Sequence, residues 1–399
     1  MHEQNSIFNG EIPASKSILN RLLVMQSFFP EISIRGDSKA DDVVKMKGAI
    51  AALARGEPAD CGAAGTTFRF LALRASRLKG RSVLTGSKRL FERPQTEILH
   101  LLERLGVRAE IQAESLVIDS GGWQNIAELK VDRSISSQFA SAVVLSAWQL
   151  EKPLRLIFDG SAVSEGYLQM TLQLVARGGM RLKMIEHGLE IPAHGTADKN
   201  SFEFKAEPDI SSAFAVAALA VTAGRQAHFT NWPLKSLQPD IVFVSVLEQM
   251  GCRLTLGHEQ LTVHGTEKAL RAIDFDLGDS PDLFPVLSVL CGLAEGTSNL
   301  HGAPHLAHKE SSRIHKSAEI LKLMGVAYEI QGDGMRIHGR GRTVLSGEQT
   351  LAYDPEHDHR LAMAAAVAQA AGFPIKILNP SVVGKSFPEF WTIAERTRA

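Results

Sequence analysis

Cysteine is scarce in this 399-residue chain: Cys61, Cys252 and Cys291 are scattered and form no CxxC pair. A sparse, odd set excludes a disulfide framework and fits a reducing, cytoplasmic setting. Charge of one sign is also missing. Lys+Arg (43) and Asp+Glu (44) nearly cancel to a net −1, so no global field draws the protein to nucleic acid or to a membrane surface. Any hold on an anion must come from local placement of cations. No apolar run approaches the ~20 residues of a membrane span. Met1 to Gly10 is short and polar, without the apolar centre of a secretory leader. No GxGxxG dinucleotide fingerprint, Walker phosphate loop, HExxH or evident Ser-His-Asp order occurs, so no cofactor and no metal are expected. The acid and histidine cluster Asp354, Glu356, His357, Asp358, His359 lacks the spacing of a catalytic zinc site.

What is present is repetition. Six times a short polar or glycine stretch runs into an apolar, helix-like segment: Ser15-Lys16-Ser17, Gly65-Thr66-Thr67, Ser136-Ser137-Gln138, Asp209-Ile210-Ser211-Ser212, Ser280-Pro281-Asp282 and Asp358-His359-Arg360. A helix start leaves unpaired N–H groups and a partial positive charge, which favours anions. A second pattern ends an apolar pair or triplet in a turn, as at Ile34-Arg35-Gly36, Leu84-Thr85-Gly86, Phe158-Asp159-Gly160, Phe229-Thr230-Asn231, Leu300-His301-Gly302 and Leu378-Asn379-Pro380. These read as strands. A third pattern ends amphipathic helices at Gly106, Gly179, Gly251 and Gly325, which stand 73, 72 and 74 residues apart. Glycine just past a helix is the usual left-handed stop.

The unit is therefore capped helix, strand, turn, second helix, glycine, strands. Six such units fit, with Ala54-Arg55-Gly56 as a shorter early copy and the last unit ending after a helix at Trp391 to Arg398. Alternating helices and strands give an α/β fold, and two groups of three units give two similar domains.

The chemistry-bearing residues sit at the helix starts and on the turns. Lys16, Ser17 and Arg21 place a compact cation and a bidentate fork near one helix opening. Gly65 allows close approach to the backbone, and Thr66 is suited to cap. Arg89 and Arg93 lie before a second helix, and Ser136 and Ser137 open another. Asp282 is an acid at a helix start, either a cap or a general base. Lys309, Glu310 and Arg313 bring cation, acid and cation together; on one helix Lys309 and Arg313 would share a face. Arg360 enters a very apolar helix and would be costly there without an anion. Taken singly, each of these also reads as an ordinary cap or a solvated helix start.

In this order the segments resemble the enolpyruvyl transferase family, in particular its branch acting on shikimate 3-phosphate. The resemblance is carried by Ser15-Lys16-Ser17 with Asn20-Arg21, Ala64-Gly65-Thr66 with Arg69, Glu92-Arg93-Pro94, Ser136-Ser137-Gln138-Phe139, Lys309-Glu310 with Arg313, Asp358-His359-Arg360 with Ala362-Met363, and Lys385 with Phe387-Pro388. It implies two domains of three βαβαββ units each, an inside-out α/β barrel, spanning 14–207 and 1–13 plus 208–399, with the active site in the cleft between them. It implies transfer of the enolpyruvyl group of phosphoenolpyruvate to the 5-hydroxyl of shikimate 3-phosphate by a cytoplasmic monomer. By the same resemblance Lys16, Ser17, Arg21, Ser136, Ser137, Gln138, Ser164, Tyr167, Asp282 and Lys309 hold shikimate 3-phosphate. Lys16, Gly65, Arg93, Gln138, Arg313, Arg360 and Lys385 surround phosphoenolpyruvate. Asp282 takes the hydroxyl proton, Glu310 with Lys16 manages the methylene proton, and His359 assists.

Several positions depart from the family's common pattern. Ala14 stands for glycine, Ala63 for asparagine, Phe70 for proline, His305 for asparagine, and Ser311-Ser312 for a Thr-Asp pair. Three other readings remain open. The first is the sister enzyme acting on UDP-N-acetylglucosamine, which carries a cysteine on the loop matching Gly86 to Pro94. The second is a non-catalytic phospholigand-binding protein, which would keep the basic groups without Asp282 or Glu310. A third, a nucleic-acid-end-processing enzyme on related repeats, would need a basic stripe.

Overall fold

Gly106, Gly179, Gly251 and Gly325 all have positive φ, between 68° and 99°. The residue after each donates its N–H five residues back: Val107 to Leu102, Met180 to Val175, Cys252 to Leu247 and Val326 to Leu321. This is the hydrogen bonding of a glycine-stopped helix. Gly56 makes an earlier copy, with Glu57 donating to Ala52. The periodic glycines thus mark real helix ends, each followed by a buried or partly buried turn into strand.

The computed structural model describes residues 6–194, 203–266, 268–342 and 350–397. Contacts divide the chain into a contiguous unit, Ala14–Ala206, and a discontinuous one, Met1–Pro13 with Glu207–Ala399. The chain opens with β1 (Ser6–Gly10). The contiguous unit follows with α1 (Lys16–Gln26), β2 (Ser33–Arg35) and α2 (Asp41–Ala54). Next come β3 (Ala59–Asp60), α3 (Gly65–Ala75), β4 (Gly80–Thr85), α4 (Lys88–Glu92), α5 (Thr96–Arg104), β5 (Arg108–Gln112) and β6 (Ser115–Ser120). It closes with β7 (Glu128–Asp132), α6 (Gln138–Ser146), β8 (Leu154–Asp159), α7 (Glu165–Arg177), β9 (Lys183–Ile185), β10 (Gly188–Ile191) and β11 (Glu203–Lys205). The discontinuous unit continues with α8 (Ile210–Thr222), β12 (Gln226–Thr230), α9 (Phe243–Gln249), β13 (Leu254–Gly257) and β14 (Gln260–His264). Then come β15 (Leu270–Arg271), β16 (Asp274–Asp276), α10 (Phe284–Gly292), β17 (Ala294–His301), α11 (Arg313–Leu323), β18 (Ala327–Gln331) and β19 (Gly334–Arg340). Last are β20 (Leu351–Tyr353), α12 (His359–Ala370), β21 (Ile375–Ile377) and α13 (Phe390–Glu395).

Each unit contains two sheets built on one four-strand plan, one of the four sheets carrying β16 as a fifth strand. The orders are β3-β4-β6-β5 and β7-β8-β10-β9 in the contiguous unit, and β1-β12-β14-β13 and β15-β17-β19-β18 in the other, where β16 also pairs with β17. In all four the first two strands are parallel and the rest antiparallel. A parallel pair needs a crossover, and α3, α6 and α10 supply it within their own repeats. For β12 the parallel partner comes from far away in sequence, β1, with Ser6 opposite Gln226 and Gly10 opposite Phe229. The contiguous unit does the converse: its last strand, β11, pairs in parallel with β2, its first.

The expectation of three full βαβαββ repeats per unit therefore needs a correction. Each unit has two complete repeats and one reduced to its helices and a parallel strand pair, β11-β2 or β20-β21. After Gly56 the chain enters β3 directly, leaving no residues for a hairpin. The expected final helix reaching Arg398 spans Phe390–Glu395, with Arg398 outside the described residues, as are Met1–Asn5 of the polar opening.

The first helix of each repeat lies innermost. All 13 residues of α8 and all nine of α10 are buried, so these helices are apolar all round rather than striped. In the contiguous unit α1, α3 and α6 pack together, and in the other α8, α10 and α12 do. The sheets and second helices cover them. Strand β6 alternates buried and half-exposed residues, and α5 buries just Ile98, Leu101 and Leu102. Alanines in α8 and α12 permit the close approach of inner helices. The polar starts of these helices are where chemistry can be placed.

Replacing Gly251 (φ 90°) with alanine forces a side chain into left-handed backbone and brings its Cβ to 3.1 Å from Arg271 Nε. The expected loss is about 1–2 kcal/mol in denaturant unfolding; an unchanged midpoint would contradict the helix-stop reading.

Candidate active site

Charged and polar side chains gather near helix starts in each unit. In the discontinuous unit Arg313, with 2% of its side chain exposed, gathers three carboxylates. Its Nη1 donates to Asp282 Oδ1 at 2.7 Å, its Nη2 to Glu310 Oε2 at 3.1 Å, and its Nε to Asp358 Oδ2 at 2.7 Å. Arg360 Nη2 donates to the other Asp282 oxygen at 2.6 Å, and Lys385 Nζ to Glu310 Oε1 at 3.2 Å. Asp358 also caps α12, accepting from the Arg360 N–H, and takes a bond from Ser311 Oγ. One carboxylate thus fixes both a helix start and a guanidinium. His359, the first residue of α12, is buried beside it.

Burial opposes ionisation of Asp282, but Arg360, then Arg313 and Lys309, outweigh it and hold the carboxyl well below its ordinary range. Burial likewise works against the charge of Arg313, and Asp358, Asp282 and Glu310 overcome it, pushing the guanidinium pKa further up. The cluster is a mutual compensation of cations and acids taken out of water, where removing one partner is costly.

The contiguous unit is built differently. Arg21 on α1 is buried, and its acceptors are neutral: Thr171 Oγ1 at 2.7 Å, the Ser17 carbonyl at 2.7 Å and the Tyr167 carbonyl at 3.1 Å. Burial brings its pKa down to about 10, with Tyr167 acting the other way. Gln138, the first residue of α6, is held at both ends of its amide. Its Nε2 donates to Thr66 Oγ1 at 3.0 Å, and its Oε1 accepts from Arg69 Nη1 at 3.0 Å. Arg69 also donates to the Pro94 carbonyl and to Gln95. Lys16 Nζ donates to Asp42 Oδ2 at 2.9 Å. Gly65 lies against buried Arg93: a Cβ there would come within 2.7 Å of Arg93 Nη1.

Several local expectations are revised. Helix α3 begins at Gly65 with Ala64 at its cap and no side-chain cap bond, so Thr66 serves Gln138 rather than the helix end. Lys309 does not share a helical face with Arg313, because α11 starts at Arg313 and Lys309 follows the 3-10 turn Pro304–His308. Lys385 ends the 3-10 turn Pro380–Lys385 and is buried. Arg93 is buried too, whereas Arg89 is exposed and pairs with Glu92. Ser137 makes no cap bond, and Ser136 Oγ accepts from the Gln138 N–H. Ser164 precedes α7 in left-handed conformation (φ 53°), and Tyr167 lies within that helix. Within the contiguous unit hydrogen bonds tie Lys16 to Asp42, Arg21 to Ser17 and Tyr167, and Gln138 to Thr66; Gly65 abuts Arg93. The other unit joins Asp282, Glu310, Arg313, Arg360 and Lys385, with Lys309 close enough to act on Asp282 electrostatically.

Residues not singled out from sequence are Asp42, Gln95 and Thr171. Asp42 had a signal, an acid in the first turn of α2. Thr171 had none, since a threonine inside a helix is ordinary. Among the described residues no group of three or more His, Cys, Asp or Glu is placed to hold a metal, and no helix is long and apolar enough to cross a membrane.

A depressed acid stabilises the fold above its ordinary pKa and loses that contribution as pH falls through the folded value. For Asp282 the window therefore lies below about pH 4. Asp282→Asn is expected to cost about 1.5–3 kcal/mol at pH 7 and to lose less further stability than wild type between pH 4 and 2. Identical acid-unfolding curves would contradict the ion-pair account.

Known proteins resemble this chain in fold and in sequence. The EPSP synthase of Acinetobacter baumannii has the same fold, with a TM-score of 0.74 at 22% identity over 98% of this chain and 96% of that one. A 3-phosphoshikimate 1-carboxyvinyltransferase of Methanoculleus marisnigri is 33% identical over 83% of this chain and 77% of its own length. Another from Methanosphaerula palustris is 32% identical over 95% and 94%. Residues 11–393 match the family described as EPSP synthase (3-phosphoshikimate 1-carboxyvinyltransferase), and the chain belongs to that family.

Proposed function

We propose that the protein transfers the enolpyruvyl group of phosphoenolpyruvate to the 5-hydroxyl of shikimate 3-phosphate and releases phosphate. The observation that carries this is the family match over nearly the whole chain, together with buried basic groups in both units, Arg21 and Arg93 in one and Arg313, Arg360 and Lys385 in the other. Lys16, Ser17, Arg21, Ser136, Ser137, Gln138, Ser164, Tyr167, Asp282 and Lys309 are assigned to shikimate 3-phosphate. Lys16, Gly65, Arg93, Gln138, Arg313, Arg360 and Lys385 are assigned to phosphoenolpyruvate. The assigned groups are divided between the units, so neither unit carries the reaction alone. The protein is read as a cytoplasmic monomer acting on small molecules.

The chemistry is addition followed by elimination. The 5-hydroxyl oxygen bonds to C2 of phosphoenolpyruvate, its proton leaves to Asp282, and C3 gains a proton. The C2–O–phosphate bond then breaks, C3 gives its proton back, and inorganic phosphate departs. Glu310 with Lys16 handles the proton at C3, and His359 supports them. Asp282 is ionised, as a base must be, but its two arginine partners make it a weak one. Anionic phosphoenolpyruvate competes for Arg313 and Arg360, and drawing them away raises the proton affinity of Asp282 when the hydroxyl arrives. The acids that hold the cations before binding thus become the proton carriers afterwards.

The sister activity on UDP-N-acetylglucosamine fits less well. No cysteine stands between Gly86 and Pro94. Burial pushes the Cys61, Cys252 and Cys291 thiols up to about 12, 11 and 12, so none is a ready nucleophile. Phosphate release from phosphoenolpyruvate is expected with shikimate 3-phosphate and not with UDP-N-acetylglucosamine; the reverse preference would overturn the assignment. Asp282→Ala and Glu310→Gln are expected to lower kcat at least about 100-fold, with a much smaller change in shikimate 3-phosphate affinity. Near-normal turnover in both would remove their roles. Gly65→Ala crowds Arg93, so it should raise the KM for phosphoenolpyruvate and weaken inhibition by glyphosate; unchanged inhibition in an active variant would contradict contact there.

A further inference from the structure

A buried guanidinium normally needs a counter-charge. Among the described residues Arg21 has none: its three acceptors are a hydroxyl and two carbonyls, and they use three of its five donors. Its remaining close contact is an aromatic face. Arg21 Cζ lies 5.2 Å from the centroid of the Phe70 ring, and Phe70 is fully buried on α3. The device recurs one helix further on. Arg69 Cζ lies 4.8 Å from the ring of Phe139 on α6. An arginine of α1 thus rests on a ring of α3, and an arginine of α3 on a ring of α6, with the adjacent residues Phe70 and Arg69 taking part in one contact each. Arg313 is handled in the opposite way, by three carboxylates.

The difference has a functional consequence. A carboxylate beside Arg21 would offset its charge but would have to be displaced by an incoming anion. A ring face offsets part of the cost of burial through its quadrupole and leaves the outward donors to a ligand.

We propose that Phe70 is a positioning residue that holds the Arg21 guanidinium in register for the phosphate of shikimate 3-phosphate without presenting it with a competing anion. This rests on the assignment of Arg21 to that substrate. The contact acts on binding of the phosphomonoester, so it should appear in affinity for shikimate 3-phosphate rather than in turnover.

The test is calorimetric titration of the full chain with shikimate 3-phosphate alone, paired with steady-state kinetics and thermal melting. Phe70→Leu and Phe70→Met remove the ring, and Phe70→Tyr keeps it. The ring-less variants should bind about ten-fold more weakly, the size of a desolvated cation–π contact. Their kcat and KM for phosphoenolpyruvate should stay within about two-fold, and the Tyr variant should recover most of the affinity. Wild-type affinity in Phe70→Leu, with binding abolished in Arg21→Ala, would overturn the inference and leave the assignment of Arg21 intact. Equal losses in every parameter, or failure of both ring-less variants to fold, would show a core role and overturn it as well. Unchanged binding in Arg21→Ala would instead overturn the underlying assignment.

Discussion

Arg313 and its three carboxylates form the contact on which the chemistry of the discontinuous unit depends. Two substrates bearing phosphate groups repel each other, so an enzyme joining them must keep several cations in a partly dry place before either arrives. Cations taken out of water without compensation would not stay charged or ordered. In the discontinuous unit Asp282, Glu310 and Asp358 supply the compensation, and two of these three acids are also the groups assigned to move protons. Stabilising the empty site and poising it for reaction are therefore done by the same bonds.

The fold makes this affordable by its layering. Inner helices that are buried on every side, such as α8 and α10, place their polar starts at the ends of an apolar core, while sheets and second helices cover the flanks. Strand β11 pairs with β2 from the opposite end of its unit's sequence, and β1 reaches β12 across the whole contiguous unit that separates them in the chain. Lys16, assigned to substrate, begins α1 shortly after β1. In the contiguous unit Arg21 rests on neutral acceptors and an aromatic face, so it meets an incoming phosphate with less competition, while Lys16 keeps an acid, Asp42.

Much of this was legible from the amino acids because some signals are local. A helix that stops needs a left-handed residue, and glycine supplies it at Gly106, Gly179, Gly251 and Gly325. A helix that starts needs a cap, and Ser15, Asp209 and Asp358 each accept from a first-turn N–H. Pairings across long separations left no such trace. Nothing near Arg313 announces that Asp358, 45 residues on, will hold its Nε, and nothing near Arg21 announces Thr171. Thr66 shows the limit within a single turn: its hydroxyl could cap, but Gln138 from another repeat claims it. Lys309 differs for another reason: it lies in the irregular stretch between the 3-10 turn Pro304–His308 and the start of α11, not on the helix of Arg313.

The central claim is that anionic substrates take Arg313 and Arg360 away from Asp282 and thereby turn a depressed acid into a base. It is tested most directly by following the Asp282 carboxyl carbon by NMR across a pH titration, with and without shikimate 3-phosphate and an inert phosphoenolpyruvate analogue, using Asp282→Asn to assign the signal. The account expects a pKa well below the ordinary carboxylate range in the unliganded protein and a clear rise toward or above that range when both ligands are bound. A titration that stays equally low with the ligands in place would contradict it.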